Sequence, residues 1–180
     1  MNRQITETLA QMFYDTDIIA IRKGLLDIDF FRGFATPACF LEFANMACAI
    51  LDDYATDVLI AKQDSLAWVP ACAVKLELPC VWLRNGDFLG LKKDCKRAIH
   101  CSLMSPSQEE LEVLKKEYEQ KNIELVATFS LLGLQNSVSE IRQLSLVTLE
   151  DVLLIYHQLH LISTEDLQRL GQLKQAQSIQ

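Results

Sequence analysis

Through the middle of the chain, apolar residues come in two rhythms. Continuous runs of strand length alternate with segments in which apolar positions recur every three or four residues. The first rhythm predicts strands buried on both faces, and the second predicts amphipathic helices. Ile5, Leu9, Met12 and Phe13 share one helical face, so residues 3–14 are expected to be helical. Ile18–Arg22 reads as a small strand and Lys23-Gly24 as a turn. Asp27–Arg32 mixes charge with two adjacent aromatics and reads as an edge strand or loop. Thr36-Pro37 starts a helix whose buried stripe is Phe40, Phe43, Ala44, Ala47 and Leu51. Asp57–Ala61 is a strand, Lys62–Ser65 its turn, and Leu66–Leu78 a helix, with Pro70 marking either its first turn or a kink. Pro79–Leu83 is the next strand, and Asn85–Lys96 a polar loop. Strand, helix and strand in alternation predict an α/β protein with a parallel, Rossmann-like sheet.

The stretch Arg97–Leu132 carries the clearest unit of this kind. Ala98–Leu103 is a buried strand, and Ile123–Leu132 a second. Between them Leu111, Leu114 and Tyr118 form the stripe of a helix ending near Gln120. Ser105 is expected to cap that helix, with Pro106 at its first position and Gln108 completing a capping box. In such sheets ligands bind beyond the carboxyl ends of the strands, so the chemistry of this turn matters. It suits phosphate poorly. It has no glycine, Pro106 removes an N–H donor, and Glu109 and Glu110 already satisfy the helix dipole. Past Leu132 the chain is polar to Gln143, then extended over Leu144–Val147. Thr148 with Asp151 and Ser163 with Asp166 are capping boxes for two further helices, the first carrying Val152, Leu153, Tyr156 and Leu159. The tail from Lys174 is expected to fray.

Composition narrows the functional classes. A chain of 180 residues, half of them hydrophobic, can bury one sizeable core, and a single domain spanning 1–180 is expected. The net charge of −7 offers no attraction to nucleic acid or anionic membranes. No segment has a signal-peptide core, and Lys75, Glu77 and two prolines interrupt the longest apolar candidate for a membrane span. A soluble cytoplasmic protein follows. The six cysteines, Cys39, Cys48, Cys72, Cys80, Cys95 and Cys101, form no C-x-x-C pair and are expected to be reduced and mostly buried. His157 and His160 lie on one helix without partners for a metal, and no metal site is expected.

Taken together, these pieces resemble a type I phosphoribosyltransferase, and most closely an orotate phosphoribosyltransferase, from about Leu9 to Leu170. Val58-Leu59-Ile60 with its turn, the helix bearing Ala71, Ala73 and Leu76, and Leu78-Pro79-Cys80-Val81-Trp82-Leu83-Arg84 are similar to the family's strand, diphosphate loop, helix and following strand. Gly24 followed by Phe30-Phe31 is similar to the segment near the orotate pocket. Leu144–Leu153 looks like the family's closing segment. The resemblance implies a core of about 36–147, an N-terminal hood of 1–35, C-terminal helices over 148–175, and a dimer, either of this chain or with a related subunit.

It also implies where the chemistry should stand. The family sets two adjacent acids on the ribose hydroxyls, and those positions fall on Cys101 and Ser102. Its Thr/Gly-rich phosphate turn falls on Ser105, Pro106 and Ser107, and its diphosphate loop on Gln63, Asp64 and Ser65, placing an acid where orotate enzymes often carry Lys. Arg84 survives at the catalytic loop, but Asn85 follows it in place of Lys. Lys92 and Lys93 lack the expected spacing, and His100 falls in a strand. The expectation is a protein that keeps the scaffold, has lost phosphoribosyl transfer, needs no cofactor, and serves in binding, regulation or subunit pairing. The candidate ligand-contacting residues are Phe30, Phe31, Arg84, Asp64, Ser65, Ser105 and Ser107, toward a small anionic or nucleotide-like ligand. The alternative is an active orotate phosphoribosyltransferase using Mg²⁺, with Asp87 or Asp94 supplying the missing acid. A thiol chemistry at Cys101 has no base beside it, and a buried thiol is the better reading.

Overall fold

The computed structural model describes residues 3–22, 25–134 and 140–177. The turn expected at Lys23-Gly24, and with it the Gly24 of the resemblance, lies outside them. The chain divides into two compact units, one of Met1–Cys39 with Val147–Gln180 and one of Phe40–Leu146.

The Phe40–Leu146 unit is built on a sheet. Its strands are β3 (Val58–Ala61), β4 (Cys80–Arg84), β5 (Asp87–Leu89), β6 (Arg97–Met104), β7 (Glu124–Gly133) and β8 (Arg142–Thr148), in the order β5-β4-β3-β6-β7-β8. β3 pairs in parallel with β4 and β6, and β6 with β7; β5 is antiparallel to β4. All four residues of β3 are fully buried, as a central parallel strand requires. Its alternate side chains serve opposite faces. Val58 and Ile60 join Val81, Leu83, Ala98 and Ile123 beneath Leu114 and Tyr118 of α5 (Gln108–Gln120). Toward the other helices, Trp68 packs edge-on against Phe129, with ring centroids 5.7 Å apart.

Several elements differ from expectation for local reasons. The helix after β3 is α4, Val69–Lys75, preceded by a 3-10 turn at Gln63–Ser65. Pro70 sits in its first turn, where a missing N–H costs nothing, so there is no kink. The expected loop 85–96 contains β5. Asn85 and Gly86 both have positive φ (52° and 79°), the backbone of a two-residue hairpin turn. The cap of α5 is Ser107, not Ser105. Ser107 Oγ accepts from Glu110 N at 3.2 Å, and Glu110 Oε2 accepts from Ser107 N at 2.9 Å. Two overlapping Ser-x-x-Gln/Glu patterns compete here, and Ser105 is withdrawn by the sheet. Its N–H donates to Leu132 O at 3.0 Å, and its Oγ accepts from Leu134 N at 2.8 Å. Ser107→Ala and Glu110→Ala are each expected to cost about 1 kcal/mol, and Gln108→Ala only a few tenths. Urea melts of the three variants check this, and a loss confined to Gln108→Ala would return the cap to Ser105.

The other unit holds α1 (Arg3–Asp15), the hairpin β1 (Ile19–Arg22) and β2 (Leu25–Ile28), α2 (Phe30–Phe34), the start of α3 (Pro37–Leu51), α6 (Leu149–Gln158) and α7 (Thr164–Gln177). The segment Asp27–Arg32 is neither a plain edge strand nor a loop. It ends β2 and then opens α2, because Asp29 Oδ1 accepts from Phe31 N at 3.1 Å and caps a helix. Thr148 and Ser163 cap α6 and the helix after it, as their spacing predicts. Leu159 lies beyond the last turn of α6 and is 48% exposed, not part of a buried stripe. Helix α7 runs past Lys174 to Gln177, where fraying was expected. Among the described residues no helix is long and apolar enough to cross a membrane.

Candidate functional site

The sheet order singles out one crevice. From β3 the chain runs through α4 to β4 on one side, and from β6 through α5 to β7 on the other. The loops leaving β3 and β6 therefore diverge, opening a cleft at the carboxyl ends of these two neighbours, the usual ligand position in an open α/β sheet. It is bounded by Lys62–Ser65 and by Ser102–Ser107. Of the sequence-predicted residues, the fold brings Asp64, Ser65, Cys101, Ser102, Ser105 and Ser107 to these two loops and strand ends.

Their polar groups bond to one another. Lys62 N donates to Cys101 O at 3.3 Å, carrying the β3–β6 ladder one step into the loop. Ser65 Oγ, in a fully buried residue, lies 2.7 Å from Cys101 O and 2.9 Å from Lys62 O, both acceptors for its single proton. Asp64 folds back over the end of β6. Its Oδ2 accepts a long hydrogen bond from Leu103 N at 3.4 Å, while Oδ1 is buried with no partner. At the mouth, Lys62 Nζ lies 3.6 Å from Glu110 Oε1, whose other oxygen holds the N-cap amide of α5. The Ser107 N–H, aided by the Lys62 ammonium, holds the Glu110 carboxyl below its ordinary range.

Cys101 and Ser102 lie within β6, three and two residues before its end, not at its tip. The Cys101 side chain is fully buried, and desolvation drives its thiol well above the usual range, so it is neither thiolate nor nucleophile. Ser102 Oγ donates to Met104 O at 2.7 Å. His100, on the opposite pleat from Cys101, is 1% exposed, with Nδ1 3.0 Å from Tyr118 Oη. Burial lowers it to about 3, with the Lys62 charge a smaller cause, so it stays neutral.

The remaining candidates lie elsewhere. Arg84 ends β4 exposed, its guanidinium carbon 5.2 Å from the Trp82 ring centroid. Asn85 forms the hairpin turn, and Asp87 stands opposite Arg84 in the ladder. Lys92, Lys93 and Asp94 are exposed in the loop before β6. Phe30 and Phe31 belong to the other unit. Phe30 is 3% exposed, edge-on to Phe13 at 6.1 Å, and Phe31 is 61% exposed. His157 Nε2 is bonded to Thr164 Oγ1 at 3.0 Å. Among the described residues no group of three or more His, Cys, Asp or Glu is placed to hold a metal.

The sequence puts Lys62 and Glu110 in the two turns but not their contacts: the bond of Glu110 to Ser107 N, its pairing with Lys62 and the contact of Tyr118 with His100 appear only in the structure. The Ser107-x-x-Glu110 spacing is a local signal for the cap. Nothing in the sequence pairs Lys62 with a residue 48 positions on.

No protein-family model matches the chain, and no curated protein matches its sequence. Its fold matches solved structures. UMP synthase from Leishmania donovani superposes with a TM-score of 0.78 at 14% identity, over 95% of this chain and 42% of that one. Orotate phosphoribosyltransferase from Francisella tularensis gives 0.70 at 12% identity, over 94% and 98%; that from Aeropyrum pernix gives 0.68 at 15%, over 84% and 99%. The chain thus spans less than half of the UMP synthase but nearly the whole of the two transferases. At these identities the likeness is one of fold, and the fold is that of the phosphoribosyltransferases.

Proposed function

We propose that this protein keeps a phosphoribosyltransferase scaffold without the transfer reaction and serves as a binding or regulatory partner, as a homodimer or with a related subunit. The observation that carries this reading is that the chain's own carboxylates occupy the donors of the crevice. A phosphate at this position would use free N–H groups at the start of α5 and the end of β6. Ser107 N is taken by Glu110, Leu103 N by Asp64, and Pro106 has none to offer. A phosphate would also meet two carboxylates, one of them with a buried oxygen. The Lys62–Glu110 pair is about half exposed and adds little stability, but it leaves the Lys62 charge balanced.

The positions that would serve the ribose point the same way. A sugar approaching an oxocarbenium-like transition state is steadied by carboxylates on its hydroxyls. Cys101 instead presents a neutral buried thiol, and Ser102 a hydroxyl committed to Met104 O. Mg²⁺ takes hard oxygen ligands, usually carboxylates and water. Sulfur, a donated hydroxyl and the enclosed Asp64 do not fit that set. Each preorganised charged group removed from such a site costs on the order of 10²–10³ in rate, and losses in one site do not simply multiply.

With Mg²⁺, orotate and phosphoribosyl diphosphate, no turnover is expected, and phosphoribosyl diphosphate is not expected to raise the melting temperature. Ordinary turnover abolished by Asp94→Ala or Asp87→Ala would replace this reading with the active alternative. Binding without turnover would keep the loss of transfer but overturn the closed crevice. For the partner role, Phe31 and Leu25, 61% and 63% exposed, supply apolar surface that a subunit contact would cover. Sedimentation of the purified chain, and co-purification with an active transferase, separate self-association from mixed assembly.

A further inference from the structure

A pair of thiols has no part in the reading above. Cys48 lies on α3 and Cys72 on α4, both within the Phe40–Leu146 unit. Each sulfur reaches the other helix. Cys48 Sγ is 3.9 Å from Cys72 O, and Cys72 Sγ is 3.7 Å from Ala44 O. The two thiols differ in access. Cys72 is 0% exposed, whereas Cys48, at 5%, lines an open surface cavity of about 440 Å³ together with Asn45, Asp52, Lys75 and Glu77. Lys75 Nζ bonds Asn45 Oδ1 across that cavity.

We propose that Cys48 and Cys72 form a dithiol/disulfide couple that a hydroperoxide oxidises through the cavity at Cys48. Each sulfur already lies against the backbone of the other helix, so side-chain rotation with a shift of the helices is the movement that would bring the two to the bond length of about 2.05 Å. Cys48 gives up its proton, and its sulfur attacks one peroxide oxygen. The O–O bond breaks, and the departing oxygen takes up a proton and leaves as water or an alcohol. Cys48 is then a sulfenic acid. The Cys72 sulfur attacks the Cys48 sulfur, the S–S bond forms, and the S–O bond breaks. The hydroxide leaves as water with the Cys72 proton. Two thiols thus lose two electrons and two protons, and one peroxide is reduced.

The charges around the pair divide the roles. Burial and the neighbouring Cys48 and Cys80 sulfurs raise the Cys72 thiol, while the Lys75 ammonium opposes them. Cys72 therefore acts second, as the resolving thiol, behind the sulfur that solvent can reach. The disulfide would close a 24-residue separation and staple α3 to α4, independently of whether the crevice binds anything.

The test is a thiol count and a peptide map of the full-length chain after hydrogen peroxide, with the remaining thiols blocked before a non-reducing digest. Titratable thiols are expected to fall from six to about four, with a Cys48–Cys72 linked peptide that a dithiol reductant removes. In Cys72→Ser the same treatment should leave Cys48 as a sulfenic acid that dimedone traps. Three outcomes would overturn the proposal: no loss of thiols, a bridge from Cys72 to Cys80, or a wild-type Cys48 trapped as sulfenic acid without a bridge. The wild-type map decides the question alone if the variant fails to fold.

Discussion

Trp68→Ala is expected to lower folding stability by about 3–5 kcal/mol, and Trp68→Phe by much less. Trp68 is fully buried at the entrance to α4, immediately after the loop that carries Lys62–Ser65, and its ring lies edge-on to Phe129 of β7. Truncation to alanine removes the largest fully buried side chain of the sheet unit and leaves a cavity that rigid strands cannot collapse to fill. Phenylalanine keeps most of the ring. It also removes an indole N–H that is buried without a partner, a group whose desolvation costs about 1–3 kcal/mol. The two terms oppose one another, so the net loss for Trp68→Phe should stay under about 1.5 kcal/mol. Chemical denaturation of both variants measures the difference. Equal damage from the two substitutions would mean that the indole N–H has a partner.

Between pH 7 and pH 5 the chain is expected to lose about 2 kcal/mol of stability through His100 alone. The folded protein holds His100 neutral, its value lowered to about 3 by burial. The unfolded chain titrates it near the ordinary value of about 6.5. Below that pH the unfolded state binds a proton that the folded state does not, so stability falls with pH until about 3 and then levels. Asp57 and Glu110 are carboxylates held below their ordinary range by backbone N–H groups, and they add to the loss only below about pH 4.5. The window from pH 7 to pH 5 therefore isolates the histidine. Replacing both partners of the buried hydrogen bond, in a His100→Leu, Tyr118→Phe double variant, removes the titrating group without stranding the phenol. Its stability should be nearly flat across that window. A parent chain that is equally flat would show that His100 is accessible to protons.

Different parts of the fold were legible to different degrees. Buried strands were readable because parallel pairing inside a covered sheet demands continuous apolar runs, as in Val58–Ala61. The stripe Leu111, Leu114 and Tyr118 was equally plain, and all three are buried. Element ends were harder. Ser105 and Ser107 carry almost the same local signal. The choice fell to Ser107 because the end of β7 claims both the N–H and the hydroxyl of Ser105. The hairpin at Asn85-Gly86, by contrast, is specified locally, since Asn-Gly is the pair that most readily adopts the two consecutive positive-φ conformations of that turn.

The crevice shows the same division. That Cys101, Ser102 and Asp64 stand where the resemblance expects other chemistry is visible in the chain alone, because residue identity needs no coordinates. What those side chains do there is not. Asp64 reaches Leu103 N across 39 positions, and Ser65 reaches Cys101 O across 36. Such bonds exist only after β3 and β6 pair in register, with Ala61 opposite Cys101. Local pattern carried the strands and the helix stripes, since each depends on neighbours a few residues away, and the identity of Cys101 and Ser102 in β6 is read directly from the chain. The reach of Asp64 to Leu103 N and of Lys62 to Glu110 came only with the sheet, which brings distant polar groups within reach of one another.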